Sequence, residues 1–299
     1  MKKKISVGTR GSELALTQTI ILINEIKKFK PDFDFEIVKI KTQGDKILDK
    51  PLNNAGGKGL FVKEIEDKLI EGKIDIAVHS MKDMPFDVPE GLSLKAVLKR
   101  EDPRDAFISS KGVRFEELRK GAKIGTSSLR RKAQLIDLRP DIEIVEIRGN
   151  VGTRLKKMKN ENLDGIILAA AGLKRLGMEN LITDYFDVDT MVPAACQGIL
   201  AVETTKVFEE EFKEIYPILL DINTLFEASA ERKVMKRFGG NCKIPIGVHA
   251  QYTKDAKKDI VNIRIAYKYG DKLFKCKGIG TIDDIDKIAE KLYKSCGGK

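Results

Sequence analysis

Ile74-Asp75-Ile76-Ala77-Val78-His79-Ser80-Met81-Lys82-Asp83-Met84-Pro85 passes from an apolar run into a polar turn. Ile74 to Val78 predicts a strand of a buried parallel sheet, where both faces are covered and apolar residues follow one another. Its polar tail then emerges at the carboxyl edge, where open α/β sheets hold their ligands. On that placement Asp83 is a candidate reactive carboxylate, with His79, Ser80 and Lys82 beside it. A turn capped by Ser80 and Asp83 ahead of Pro85 gives the same local pattern. The rest of the chain decides between the two.

Upstream, Lys4 to Val7 reads as a strand, and Gly8-Thr9-Arg10-Gly11-Ser12 turns into a helix over Glu13 to Phe29 with Ser12 as its N-cap. Phe35 to Ile40 is a second strand. The glycine-rich stretch Leu48 to Gly59 precedes a helix over Leu60 to Ile70. It lacks the Gly-Lys-Ser/Thr ending of a Walker loop, which leaves a lid carrying Lys58 or a plain surface loop as the expectation. Downstream of Pro85, Leu92 to Leu98 is another strand, and Glu101-Asp102-Pro103-Arg104-Asp105 marks a crossing into a second lobe.

That lobe repeats the alternation: strand Lys123 to Gly125, helix Leu129 to Leu138, strand Glu143 to Ile147, helix Val151 to Met158, strand Gly165 to Leu168, helix Ala170 to Leu176. Val7-Gly8-Thr9 and Ile124-Gly125-Thr126, each opening a helix, form an internal echo that predicts two similar α/β lobes. Ile199 to Val202 rejoins the first lobe, followed by a helix over Phe208 to Leu219. From Asp221 the pattern changes to a helix, then strands over Val248–Tyr252, Ile260–Tyr267 and Leu273–Cys276, then a helix over Ile282 to Tyr293. Strands followed by helices predict a small α+β domain. The expected division is 1–98 with 199–219, then 99–198, then 220–299.

With 42% hydrophobic and 33% charged residues the chain has the balance of a soluble globular protein, and 299 residues exceed one ordinary core. No apolar run reaches the length of a membrane span, and Met1-Lys2-Lys3-Lys4 leads to Arg10 and Glu13, not to a signal-peptide core. A cytoplasmic protein without membrane contact is expected. Four widely spaced cysteines with no CxxC pair, and only His79 and His249, argue against a disulfide framework and against a metal centre.

The net charge of +10 suits a polyanionic partner. Of the 55 basic residues only 14 are arginine, so arginine is expected where a planar, bidentate fork is needed. Arg10 stands just ahead of the first helix, Arg130 and Arg131 in the first turn after Ser127-Ser128, and Arg148 and Arg154 around the next helix start. A cation at a helix N-terminus is unfavourable by about 0.3–1 kcal/mol unless an anion intervenes. Together these five predict an anion held between two lobes, with backbone donors assisting. Arg175, at a helix C-terminus, is explained by the dipole alone. Lys58 and Lys82 add possible charge. Cys242, in a glycine-rich loop beside Lys243, is a candidate nucleophile or attachment point.

Thr9-Arg10-Gly11-Ser12-Glu13-Leu14-Ala15-Leu16, Gly56-Gly57-Lys58-Gly59-Leu60-Phe61, Ala77-Val78-His79-Ser80-Met81-Lys82-Asp83, Gly125-Thr126-Ser127-Ser128-Leu129-Arg130-Arg131, Arg148-Gly149-Asn150-Val151-Gly152-Thr153-Arg154 and Cys242-Lys243-Ile244-Pro245-Ile246-Gly247 together resemble the porphobilinogen deaminase (hydroxymethylbilane synthase) family over nearly the whole chain. The resemblance implies two lobes like type II periplasmic binding proteins plus a small C-terminal α+β domain. It implies a dipyrromethane cofactor joined by thioether to Cys242, and an enzyme that joins four porphobilinogens with loss of ammonia and releases the tetrapyrrole by hydrolysis. It makes Asp83 the catalytic carboxylate. Around the cofactor it places Ser80, Lys82, Thr126, Ser128, Arg130, Arg131, Arg148 and Gly149; around the substrate, Arg10, Ser12, Gln18, Lys58, Arg148, Arg154 and Arg175. Arg175 thereby changes from a structural to a binding residue. The family is generally monomeric. Asn241 stands where the family usually has glycine, and Cys196 replaces a glycine of the Pro-Ala-x-Gly-Gln-Gly segment, adding a second thiol.

Two other classes fit parts of the sequence. A two-lobed binding protein would capture an organic polyanion without chemistry, but Asp83 and the thiol-bearing third domain speak against it. A nucleic-acid binder would suit the charge. Only 6% aromatic residues and no tryptophan speak against that.

Overall fold

The computed structural model describes residues 4–46, 62–240, 244–254 and 258–298. The chain divides into two compact units, Met1–Arg100 with Ile199–Leu225 and Glu101–Gly198 with Phe226–Lys299.

The first unit begins with β1 (Lys4–Arg10), α1 (Glu13–Phe29), β2 (Asp34–Ile40), the single turn α2 (Gln43–Lys46), α3 (Lys63–Ile70), β3 (Ile76–Ser80) and β4 (Leu92–Val97). The second holds β5 (Asp105–Ser109), β6 (Lys123–Gly125), α4 (Leu129–Leu138), β7 (Glu143–Val145), α5 (Val151–Asn160), β8 (Gly165–Ala169), α6 (Ala170–Arg175) and β9 (Asp184–Tyr185). The chain then returns to the first unit with β10 (Leu200–Thr205), α7 (Lys206–Phe212) and α8 (Tyr216–Leu219). After α9 (Ile222–Arg237), which starts in the first unit and ends in the second, come β11 (Ile246–Lys254), β12 (Asp259–Tyr269), β13 (Lys272–Thr281) and α10 (Ile285–Ser295).

Among the described residues, the first sheet has the order β2-β1-β3-β10-β4 and the second β7-β6-β8-β5-β9. β1 lies parallel to β2 and β3, and β6 parallel to β7 and β8. In each sheet the next strand, β10 or β5, runs antiparallel. The two sheets share strand order and directions, although the antiparallel strand comes last in the chain in the first sheet and first in the second, and Val7-Gly8 and Ile124-Gly125 occupy corresponding interior strands. Both glycines are sites of close packing: a Cβ on Gly8 would lie 2.3 Å from Ile74 Cδ1, and one on Gly125 2.8 Å from Ile147 Cδ1.

The parallel sheet expected around Ile74 to Val78 is found on one side of that strand only. β3 is parallel to β1 on one side and antiparallel to β10 on the other, with Val202 opposite Val78 and Leu200 opposite Ser80. Apolar sequence identifies a buried strand but not the direction of its neighbours. Likewise the helix expected over Phe208 to Leu219 is two short ones, α7 and α8, with Pro217 in the first turn of α8. Proline lacks the N–H that a continuous helix would need there.

β3 alternates its side chains between two cores. Ile76 and Val78 join Ile5, Val7, Leu22 and Phe212 on one face, while Ala77 joins Ile40, Ile65 and Leu69 on the other. With both faces filled, the strand is fixed in register, because a slip of one residue would exchange its faces. In the second unit β8 is treated the same way: Ile167 packs with Phe107 and Leu135, and Ile166 and Leu168 with Ile147 and Leu173. The third sheet, β11-β12-β13, is an antiparallel meander. No helix of the described residues is long and apolar enough to cross a membrane.

Candidate active site

In the first unit, β1 ends at Arg10 and α1 begins three residues later, capped by Ser12, whose side chain accepts from the Ala15 N–H at 3.3 Å. One turn into α1, Gln18 is buried, and its Nε2 donates to Ser80 Oγ at 2.8 Å. That bond ties the first helix to the last residue of β3. Beyond Ser80 a 3-10 turn, Met81–Asp83, projects Lys82 and Asp83 from the sheet edge, with Met81 N bonded to the Ile199 carbonyl at 2.9 Å. Arg10, Ser12, Gln18, Ser80 and Asp83 share the wall of an open cleft of about 470 Å³.

Asp83 is exposed and enters no ion pair among the described residues. Arg10 is engaged by Asp45, through Nε at 3.2 Å and also through Nη2. Thr42 holds the same carboxylate, with Oγ1 at 2.8 Å from Oδ2. Burial works to raise the Asp45 carboxyl, but the hydrogen bonds and charge of Arg10 outweigh it and hold the group below its ordinary value.

Behind the cleft lies a group of ionisable residues that reading the sequence missed. His79 Nε2 is 3.0 Å from Glu203 Oε2, and Glu203, on β10, is fully buried. Burial, and then the charge of Glu203, push the nearby Glu66 carboxyl of α3 up to about 7. Glu66 Oε1 and Glu203 Oε1 are buried and meet no hydrogen-bond partner among the described residues. The available signal was an acid inside Leu200-Ala201-Val202-Glu203, since a charge within an apolar strand is unfavourable unless it is paired.

In the second unit, the turn from β6 into α4 is built from its own hydroxyls. Ser128 caps α4 by accepting from Arg131 N, Thr126 Oγ1 accepts from Ser128 N at 3.2 Å, and Ser127 Oγ donates to the Ile147 carbonyl at 2.6 Å. Arg130 and Arg131 follow, with side chains only 7% exposed. Both turn onto Asp105, the first residue of β5, which is fully buried. Arg130 Nη1 donates to Asp105 Oδ2 at 2.5 Å; Arg131 Nη2 and Nε donate to Oδ1 at 2.7 and 3.0 Å; Gln197 Nε2 adds a bond to Oδ1 at 3.0 Å. Burial opposes ionisation of Asp105, yet the charges of the two arginines prevail and hold its carboxyl well below the usual carboxylate range. The anion inferred at the start of α4 is, for these side chains, internal. Asp105 was read only as part of the crossing.

Arg148 differs. It is partly exposed ahead of α5, and its side chain has no hydrogen bond or ion pair among the described residues. The turn beside it is closed by Asn150, which caps α5 through Thr153 N at 2.8 Å, and by Gly149. Gly149 has φ +117, and a Cβ there would stand 2.5 Å from Thr153 Cγ2, so no other residue fits. Arg154 Nε donates to the Gly149 carbonyl at 2.8 Å. Arg175 Nη2 donates to the Gly198 carbonyl at 2.6 Å, and burial pulls its guanidinium down to about 10 against the pull of Glu101. Cys196 is 1% exposed, its backbone N–H bonded to Glu231. Lys58 and Cys242 lie outside the described residues.

The structure thus gathers Arg10, Ser12, Gln18, Ser80 and Asp83 in the first unit, and in the second Arg130 and Arg131 around Asp105, on a helix capped by Ser128. Two family models match the chain: "Porphobilinogen deaminase, dipyromethane cofactor binding domain" over residues 5–213 and "Porphobilinogen deaminase, C-terminal domain" over residues 225–294. The chain is similar to the porphobilinogen deaminase of Trichlorobacter lovleyi, 52% identical over 85% of this chain and 80% of the relative. It is 47% identical to that of Geobacter sulfurreducens over 98% and 92% of the two chains, and 49% identical to that of Clostridium botulinum over 96% of each. Among solved structures, the methionine binding protein MetQ is similar at 15% identity and a TM-score of 0.44, over 77% of this chain and 95% of that one.

Proposed function

Because this chain belongs to the porphobilinogen deaminase family, we propose that it joins four porphobilinogen molecules head to tail, with loss of ammonia at each addition, and releases the linear tetrapyrrole by hydrolysis. It is a transferase of porphyrin biosynthesis, and its cofactor is dipyrromethane. When bound, that group supplies a primer whose terminal pyrrole carbon is nucleophilic.

The observation that carries the site assignment is the exposed carboxylate of Asp83, without an ion pair among the described residues, on a short turn at the edge of a fully packed sheet. Loss of ammonia from porphobilinogen leaves positive charge shared with the pyrrole nitrogen. Asp83 is assigned to stabilise that charge, a carboxylate held in place being worth more than one that must reorganise. The Gln18–Ser80 bond fixes the base of the turn, and the polar groups of Arg10 and Ser12 are assigned to the carboxylates of the substrate. Lys58, Arg154 and Arg175 complete that assignment.

The second unit suits a carboxylate-rich cofactor. Arg148 offers a charge with no counter-charge among the described residues at the head of α5, and Thr126 and Ser128 place hydroxyls at the head of α4, where helix N–H groups favour anions. Arg148, Thr126, Ser128, Gly149, Arg130 and Arg131 are assigned to the dipyrromethane, with Ser80 and Lys82 of the first unit, and Cys242 as its thioether anchor. Asp105 holds Arg130 and Arg131, so their contribution depends on that carboxylate. The third sheet with its helices is read as an anchor domain of residues 220–299, beside lobes of 1–98 with 199–219 and of 99–198. We read the protein as a cytoplasmic monomer whose +10 charge serves its tetrapyrrole and not a nucleic acid.

The test is the intact mass of denatured protein from a porphobilinogen-producing host, compared with Cys242→Ser. Two linked pyrrole units on the wild type alone are expected. Unmodified polypeptide in both, after incubation with porphobilinogen, would refute the assignment; an adduct persisting in the variant would move the anchor to another thiol.

A further inference from the structure

Two thiols of the C-terminal sheet and helix have no part in the tetrapyrrole chemistry. β13 alternates strictly: Lys275, Lys277 and Ile279 are exposed, while Phe274, Cys276, Gly278 and Gly280 turn to the other face. Two glycines in that row let α10 settle close onto the strand. A Cβ on Gly278 would lie 2.7 Å from Ile288 Cγ2, and one on Gly280 2.8 Å from Ile288 Cδ1. The helix presents Ile285, Ile288, Ala289 and Leu292, spaced as one apolar stripe, and Cys296 continues that stripe at its C-cap. The third small residue of the strand row, Cys276, is thereby brought against the helix end. Cys296 S–H donates to Cys276 Sγ at 3.2 Å.

We propose that Cys276 and Cys296 form a dithiol modification site that closes to an intramolecular disulfide on reaction with a low-molecular-weight disulfide. A disulfide bond is about 2.05 Å long, so the sulfurs have only about 1.2 Å to travel, which side-chain rotation supplies. Access sets the order of events. Cys276 is partly exposed and accepts the hydrogen bond, while Cys296 is fully buried. Burial, with the bond to Cys276, pushes the Cys296 thiol up to about 12.

The Cys276 thiolate therefore attacks the external disulfide first, forming a mixed disulfide and expelling one thiolate. Cys296 then gives up its proton and attacks the Cys276 sulfur, expelling the second thiolate. The protein loses two electrons and two protons; the reagent gains them and leaves as two thiols. The product links the end of α10 to the sheet it covers. This site is independent of the assignment of Cys242.

The experiment uses the full chain carrying its cofactor, treated in the native state with oxidised glutathione, then denatured, blocked with N-ethylmaleimide and digested without reduction. Expected are a linked peptide pair containing Cys276 and Cys296, an intact mass lower by two hydrogens, and reversal by dithiothreitol. Cys296→Ser should halt as a stable glutathione adduct on Cys276, and Cys276→Ser should leave Cys296 unmodified in the native protein. Recovery of both thiols as maleimide adducts after excess oxidant would overturn the proposal, as would a link from Cys276 to Cys196 or Cys242. If a variant does not fold, the wild-type peptide map decides alone.

Discussion

Replacing Asp105 by asparagine keeps the shape of the side chain and removes its charge. The carboxylate is fully buried and receives Arg130 at 2.5 Å and Arg131 at 2.7 and 3.0 Å. In Asp105→Asn two buried cations lose their common counter-charge, and one amide N–H group must face a guanidinium donor. Breaking a buried pair by removing one partner destabilises by about 3–5 kcal/mol. At about 2–4 °C per kcal/mol for a unit of this size, the unfolding midpoint should fall by roughly 10 °C. Calorimetry at pH 7 with and without ~1 M salt is the assay, since a buried pair is little screened and the gap should persist. The pH dependence has a definite sign. Asp105 is held below its unfolded value, so its contribution is complete above about pH 4 and is lost only as pH falls towards the folded value. A variant melting within about 2 °C of the wild type at neutral pH would refute the reasoning.

Asp83→Ala should retain the cofactor by intact mass while turnover of porphobilinogen falls by at least about a hundredfold, because only the group facing developing charge is lost; appreciable activity would remove Asp83 from the mechanism. Arg148→Leu should lower the fraction of protein carrying the dipyrromethane with little change in the melting temperature, since the side chain makes no hydrogen bond or ion pair among the described residues; full occupancy would contradict its assignment. Glu66, pushed up to about 7, holds a proton more tightly folded than unfolded, so wild-type stability should fall as pH rises from about 4.5 to about 7. Allowing for its partial exposure, the fall should amount to roughly 1–2 kcal/mol and be absent in Glu66→Gln. Urea midpoints of the two proteins that run parallel across that range would rule out this source.

The parts of the fold written locally were legible. Ser12 and Ser128 announce helix starts and do cap α1 and α4; the echo of Val7-Gly8-Thr9 in Ile124-Gly125-Thr126 does mark corresponding strands. Strand partners were not legible, because apolar alternation is the same whichever neighbour a strand meets. Hence β10 was recognised as a strand but not as the antiparallel neighbour of β3, and β5 and β9 went unread. Among the cleft residues of the first unit, Arg10, Ser12 and Asp83 could be named because they stand at secondary-structure ends, whereas Gln18, inside α1, was named only through the family resemblance. Asp105 and Glu203 could not, since their meaning comes from partners far along the chain: Arg130 and Arg131 for one, His79 for the other.

The provenance of β10 bears on how the protein is made. The sheet built on β5 to β9 draws on one uninterrupted stretch of chain, whereas β3 and β4 are joined only by β10. About 120 residues separate the end of β3 from the start of β10, roughly 6–24 s of synthesis at ~5–20 residues per second. During that interval the first lobe leaves the ribosome with two unpaired strand edges, the kind of surface that recruits other chains. The lobe made second is therefore the first able to close its sheet, and the amino-terminal lobe matures afterwards.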